Sequence, residues 1–224
     1  STIAGQLAFI VGSYHLLKHN KGKGVMIGHM DDMDPRVVTV IGAGVAGTQS
    51  ILKAIDNKAL VKVVDSSQSK LDDLKSKYGT ENVEYILSSK DSIQVSVNES
   101  DLVIGSVYVV GKEAPKVVTK DMLSSMNPGT VMVDVSIDQG GCFETSKPTT
   151  HDSPTFLENE IVHYCVTNMP GAVPLTATEA LNKVSLSYVE NLANNGIQNA
   201  LDSDEHLRNG LNILDGRIVH PGVK

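Results

Sequence analysis

Apolar residues at Ile3, Leu7, Ile10, Val11, Tyr14 and Leu17 recur at helical spacing, so residues 3–19 are predicted to form an amphipathic helix. A glycine-punctuated loop follows at Lys21-Gly22-Lys23-Gly24, then a polar run, MDDMDP, at 30–35. Six short runs rich in Val and Ile come next, at 36–41, 61–65, 83–87, 101–107, 129–135 and 160–167. Helical patterns separate them at about 45–57, 67–78, 90–99 and 119–126. The strand candidates are apolar on both faces, as parallel strands covered by helices on each side must be. The alternation predicts an α/β fold with a doubly wound parallel (Rossmann) sheet. After Pro174 the pattern changes: 175–195 reads as one helix, 197–212 as further helical turns and 216–224 as a short tail. A domain boundary is expected there.

Composition removes several classes of function. The 224 residues carry 26 acidic and 19 basic side chains, a formal net charge of −7. A general nucleic-acid binder needs a basic face to displace counterions, and the three arginines, Arg36, Arg208 and Arg217, form no cluster. No nucleic-acid partner is expected. Two cysteines, Cys142 and Cys165, exclude a disulfide scaffold and any CxxC motif, and suit free thiols in a reducing, cytoplasmic compartment. No apolar run approaches the ~18 residues of a membrane span. The seven histidines show no metal-ligand spacing, and no metal is expected. The chain begins at Ser1, so it is either a processed chain or a piece of a longer one.

The 36–41 strand runs into Gly42-Ala43-Gly44-Val45-Ala46-Gly47, a complete G-x-G-x-x-G, and a helical pattern follows. The first glycine permits the tight turn and the second lets a pyrophosphate approach the backbone. The third lets helix and strand pack closely. The phosphates of a dinucleotide then sit on free N–H groups at the helix N-terminus. Asp65 ends the next strand, 18 residues beyond Gly47, where an acid accepts hydrogen bonds from a ribose. A carboxylate repels a 2′-phosphate, and no arginine follows Asp65, only Lys70, so NAD is favoured over NADP. FAD or S-adenosylmethionine would also suit an acid at this place.

Ligands of an open parallel sheet bind outside the carboxyl ends of its strands. The loops there are Tyr108-Val109-Val110-Gly111, the ten residues Ser136 to Thr145, and Asn168 to Pro174. Asp138 and Asn168, flanked by glycines, suit a polar site with close backbone approach. Each also has a purely structural reading: Asp138 as a turn cap, Asn168 as the residue that sets a turn. Cys142 lacks a paired histidine and reads as a packed thiol. His163 reads as a core histidine and His151 as a capping or surface one.

Several segments resemble bacterial alanine dehydrogenases, of the alanine dehydrogenase/pyridine nucleotide transhydrogenase family: VIGAGVAGTQ (40–49), DLVIGSV (101–107), KEAPKVVTKDML (112–123), IDQGGCFETSKPTTHDSPTF (137–156) and HYCVTNMPGAVPLTAT (163–178). The resemblance implies an NAD-dependent oxidoreductase that interconverts L-alanine with pyruvate and ammonia. It implies that Gly42, Gly44 and Gly47, with Val45 and Ala46, form the pyrophosphate turn. Asp65 would hold the adenosine ribose with Lys70 close by. Ser1 and Ser88 or Ser89 would touch the cofactor, and Val107 would pack on its nicotinamide half. Ile137 and Asp138 would lie in the active-site loop, Asp138 as the catalytic aspartate, and Asn168 with Met169 would face cofactor and substrate. The family pattern further implies a cofactor domain over 1–174. Residues 175–224 would be the returning part of a substrate domain whose N-terminal segment, with the groups that hold the substrate carboxylate, is not in this chain. The fragment alone would then be inactive. A homo-oligomer, a hexamer, is implied, with the 3–19 helix as a candidate contact. The alternatives are a catalytically silent NAD-binding module and the NAD-binding component of a proton-translocating transhydrogenase; the intact Asp138 loop favours the dehydrogenase over the latter. The sequence departs from the family pattern at His29-Met30-Asp31-Asp32 and at Lys183.

Overall fold

Side chains alternate across a strand, and in the central strands of this chain both sets are buried. The structure is a computed structural model that describes residues 1–28, 30–109 and 113–223. His29 and, in the loop after 101–107, Val110 to Lys112 lie outside the described residues. The strands are β1 (Val37–Ile41), β2 (Leu60–Asp65), β3 (Val83–Leu87), β4 (Leu102–Gly105), β5 (Val131–Asp134), β6 (Thr155–Glu158) and β7 (Ile161–Tyr164). They form one sheet in the order β3-β2-β1-β4-β5-β7-β6. All pairs are parallel except β6–β7. This is the doubly wound α/β arrangement that the alternating pattern predicts, with the order reversing between β1 and β4.

The helices are α1 (Thr2–His15), α2 (Val45–Asp56), α3 (Gln68–Tyr78) and α4 (Lys90–Glu99). One core layer joins α1, α2 and α3 to Val38, Val40, Val61, Val63, Leu102, Ile104, Val131 and Val133. The other joins α4 and the 120–125 segment to Ile41, Val64, Val103 and Met132. Odd and even positions of each strand therefore feed opposite layers, each fully buried Val, Ile or Leu contributing about 1.5–3 kcal/mol.

Four expectations need correction. Segment 119–126 is a 3₁₀ turn, Lys120–Ser125. The antiparallel β6, at the sheet edge, falls in a stretch that the pattern leaves as loop. The predicted apolar stripe of α1 is not its core face: Gly5, Ala8, Phe9, Gly12 and His15 are buried, while Ile10 and Tyr14 are about half exposed. The reason is close approach to α2, since a Cβ on Gly5 would lie 2.0 Å from the Ala46 carbonyl oxygen. The start of the tail expected at 216–224 belongs to a hairpin, β8 (Ile213–Leu214) with β9 (Arg217–Ile218), turning on Asp215 and Gly216, both at positive φ.

The chain divides into two compact units, Ser1–Ala172 and Val173–Lys224. The second holds α5 (Pro174–Ser203), α6 (Glu205–Asn209) and the hairpin. Pro174 opens α5, where a missing N–H costs nothing. Gly196, at φ 72°, breaks α5 where the predicted 175–195 helix ends. Asp204 caps α6 by accepting the Leu207 amide. Among the described residues, no helix is long and apolar enough to cross a membrane.

Candidate functional site

A cleft of about 790 Å³ opens at the carboxyl ends of β1, β4 and β5, where the strand order reverses. At its floor β1 passes into Gly42, at φ 96°, and then into α2. The Gly42 amide donates to the Val64 carbonyl, and the Ser106 hydroxyl donates to the Gly42 carbonyl at 2.6 Å. Gly47 is buried against this turn: a Cβ there would lie 1.8 Å from the Gly42 oxygen. Gly44 is the opposite case, with nothing within 4 Å of its absent Cβ. It is also the N-cap of α2 and offers no side-chain cap, so the first amides of the helix are open to the cleft.

Asp65 is buried, and its carboxylate accepts the Ala43 amide at 2.7 Å and the Ser67 amide at 2.9 Å. It shapes the glycine turn and still lines the cleft. Lys70 lines the same side, and no arginine lines the cleft. Ser1 is the N-cap of α1 without a side-chain cap bond, and it lines the cleft with Ala4.

The far end of the cleft is built from Val107, Tyr108, Ser136, Asp138, Gln139, Asn168 and Pro170. Asp138 lies in a 3₁₀ turn, Ile137–Gln139, and is exposed. The N-cap of that turn is Ser136, and among the described residues the Asp138 carboxylate has no hydrogen-bond partner. Asn168 has φ 53°, and its carbonyl accepts the Gly171 amide at 2.9 Å and faces His151 Nε2 at 3.3 Å. It both sets its turn and lines the cleft.

Of the remaining sequence candidates, Val45 and Ala46 line the cleft, whereas Ile137 and Met169 are buried beside it. The structure does not bring Ser88 or Ser89 into the cleft lining. Ser88 meets Asp65 through its amide, 2.9 Å from the Asp65 carbonyl. The Ser89 hydroxyl is taken up by a capping box with Ser92 at the start of α4. Val110 and Gly111 of the predicted strand-end loop lie outside the described residues. Cys142 is fully buried, and burial followed by the nearby Asp134 charge pushes its thiol well up, so it is no nucleophile. Burial likewise pushes Cys165 up to about 12. His163 is fully buried, stacked on Phe156, and lies 2.8 Å from the Thr145 hydroxyl; burial lowers its pKa and keeps it neutral.

Tyr108, Ser136, Gln139 and Pro170 line the cleft as members of the strand-end loops, though sequence reasoning singles out none of them as a site residue; it misses Ser106, which directly follows the end of β4.

The cleft fits a dinucleotide. It has an uncapped helix N-terminus beside a glycine whose Cβ position is empty, and a carboxylate at the end of β2. It also has an orphaned acceptor: the buried Oε1 of Gln139 has no hydrogen-bond partner among the described residues, so a ligand that brings an N–H donor would satisfy it.

Residues 8–221 match the family model described as alanine dehydrogenase/PNT, C-terminal domain. The whole chain is 46% identical to an alanine dehydrogenase of Halomonas elongata and 44% identical to one of Mycolicibacterium smegmatis, in each case covering 60% of that protein. Among solved structures, an L-alanine dehydrogenase superposes with a TM-score of 0.93 at 42% identity, over 98% of this chain and 60% of that one. A transhydrogenase of Sinorhizobium meliloti shares the fold, with a TM-score of 0.81 at 22% identity, over 97% of this chain and 61% of that one. The chain thus spans about 60% of the length of the curated relatives it matches.

Proposed function

The chain belongs to the alanine dehydrogenase/PNT C-terminal domain family, and on that premise we propose that it is the NAD-binding part of an alanine dehydrogenase, interconverting L-alanine with pyruvate and ammonia. The observation that carries this is the cleft itself, with an open helix N-terminus at one end and the unpaired Asp138 carboxylate at the other. Identity to alanine dehydrogenases of 42–46%, against 22% to the transhydrogenase, favours this reading over a transhydrogenase component.

NAD, when bound, supplies a hydride acceptor for the α-carbon of the amino acid. The Gly42–Gly47 turn and the first amides of α2 hold the pyrophosphate. Asp65 accepts hydrogen bonds from the adenosine ribose while it fixes the turn through Ala43 and Ser67. Val107 and Tyr108, which line the cleft, would pack against the nicotinamide half and limit bulk water there. The Asp138 carboxylate stabilises the positive charge that develops on the substrate nitrogen, and orients the water that replaces it. Alanine-dependent formation of NADH by the complete enzyme tests the reading; absence of turnover with alanine would overturn it.

NAD is expected to bind this chain at least about tenfold more tightly than NADP, a difference of ~1.4 kcal/mol. Asp65→Ala narrows the gap, and mainly from the NAD side. Losing the carboxylate leaves the Ala43 and Ser67 amides without their acceptor, at a cost of about 1–3 kcal/mol. Calorimetric titration of both cofactors against both proteins reads this, and equal affinities for the parent chain would refute it.

The 224 residues by themselves are expected to bind NAD without oxidising alanine. A small amino acid needs a cationic clamp for its carboxylate. Lys70 is the one cation lining the described cleft, and it stands on the Asp65 side. Alanine-dependent NADH formation by this chain alone would show that the clamp lies within it. In the same reading Val173–Lys224 is part of the substrate domain, the enzyme is cytoplasmic, and it assembles as a homohexamer through α1. The exposed Ile10 and Tyr14 support that contact, and light scattering measures the assembly.

A further inference from the structure

Asp134, the last residue of β5, is fully buried and has no part in the chemistry above. Its carboxylate is nevertheless the most heavily used acceptor at the cleft. Oδ1 accepts the Ser136 amide at 2.9 Å, with the Cys142 thiol at 3.5 Å. Oδ2 accepts the Cys142 amide at 2.8 Å, the Phe143 amide at 3.3 Å and the Ser146 hydroxyl at 2.5 Å. A carboxylate suits this ring of donors because it has acceptor sites only.

The donors bracket Asp138 in sequence: Ser136 lies two residues before it, Cys142 and Phe143 four and five after. Gly141 closes the ring at φ 78°, where a Cβ would stand 2.8 Å from Asp134 Oδ2. The loop is braced from outside as well. The Ala114 and Val117 amides donate to the Gln139 and Cys142 carbonyls, and the Lys116 ammonium donates to the Gly140 and Gly141 carbonyls. Asp65 works the same way at the end of β2, accepting the amide two residues on and one from a distant turn. There the turn is the one for phosphate; here it is the one that carries the free acid.

We propose that Asp134 is the positioning residue of the site: it clamps both limbs of the 136–143 loop and so fixes the Asp138 carboxylate at the cleft before any ligand arrives. This rests on the reading of Asp138 as the group that meets the reacting atoms. Asn at 134 would turn an N–H₂ toward a ring of N–H donors, and the loop would relax. A small displacement of a reacting group costs up to about 10²-fold in rate.

The test is a double-mutant cycle in the complete enzyme. Asp134→Asn should lower kcat about 10- to 10²-fold with KM for NAD within about threefold. In an Asp138→Asn background the same change should cost less than about threefold, because there is no carboxylate left to place. Hydrogen exchange should quicken at the Ser136, Cys142 and Phe143 amides and stay slow in β1 and β4. If Asp134→Asn does not fold, Ser146→Ala, which removes one donor and keeps the carboxylate, takes its place in the cycle with a smaller loss and the same dependence on Asp138. Multiplicative losses, or faster exchange throughout the sheet, would make Asp134 a general stability group and overturn the proposal. If Asp138→Asn alone leaves kcat unchanged, the reading of Asp138 falls first and this one with it, a result distinct from multiplicative losses.

Discussion

Asp138→Asn in the complete enzyme is expected to lower kcat by about 10²–10³, or ~3–4 kcal/mol, with NAD affinity changed far less. Asparagine keeps the shape and some hydrogen bonding but removes the charge. The carboxylate is exposed at the cleft and has no hydrogen-bond partner among the described residues, so the folded protein is not expected to depend on it. Stability should stay within about 0.5 kcal/mol of the parent, as for other surface positions. A loss confined to kcat marks an interaction made only in the transition state. A turn cap would behave oppositely, losing ~1 kcal/mol of stability with near-normal turnover. Turnover, a melting curve and a separate NAD titration on the same two proteins decide between them, and kcat within about tenfold of the parent would remove Asp138 from the chemistry.

The second large effect separates two glycines of one fingerprint. Gly47→Ala should destabilise the protein whether or not cofactor is present. Its Cβ would lie 1.8 Å from the Gly42 carbonyl oxygen and 2.6 Å from the Ser106 hydroxyl, so β1 and α2 must move apart. Overpacking of this kind costs about 1–3 kcal/mol or more, a fall of roughly 3–10 °C in Tm. Gly44→Ala should leave Tm within about 2 °C, because its φ is −77° and its Cβ position is empty. Its effect should appear only in the NAD titration, as a loss on the order of tenfold or more, since the methyl occupies the approach of the pyrophosphate. A drop in Tm for Gly44→Ala as large as for Gly47→Ala would mean that both glycines serve packing and neither serves a ligand.

The sequence by itself determined the sheet and the glycine turn after β1. β1, β4, β5 and β7 are short apolar runs buried on both faces, as that composition alone predicts. The G-x-G-x-x-G between β1 and α2, and Asp65 at the end of β2, are legible because their roles depend on backbone geometry within a few residues. What only the tertiary structure decided are contacts between segments far apart in the chain. α1 buries Gly5, Ala8, Phe9, Gly12 and His15 and leaves Ile10 and Tyr14 half exposed, with a glycine at position 5 because α2 comes too close at Ala46 for a Cβ there. β6 pairs at the sheet edge, where its partner strand rather than its own pattern selects it. The Ser89 hydroxyl sits in the capping box of α4 with Ser92, a pairing that the family resemblance does not signal. Asp134 reads as one more strand-end acid. Its part in the site arises because folding returns Cys142, Phe143 and Ser146 to its carboxylate, and burial then makes each of those hydrogen bonds costly to lose.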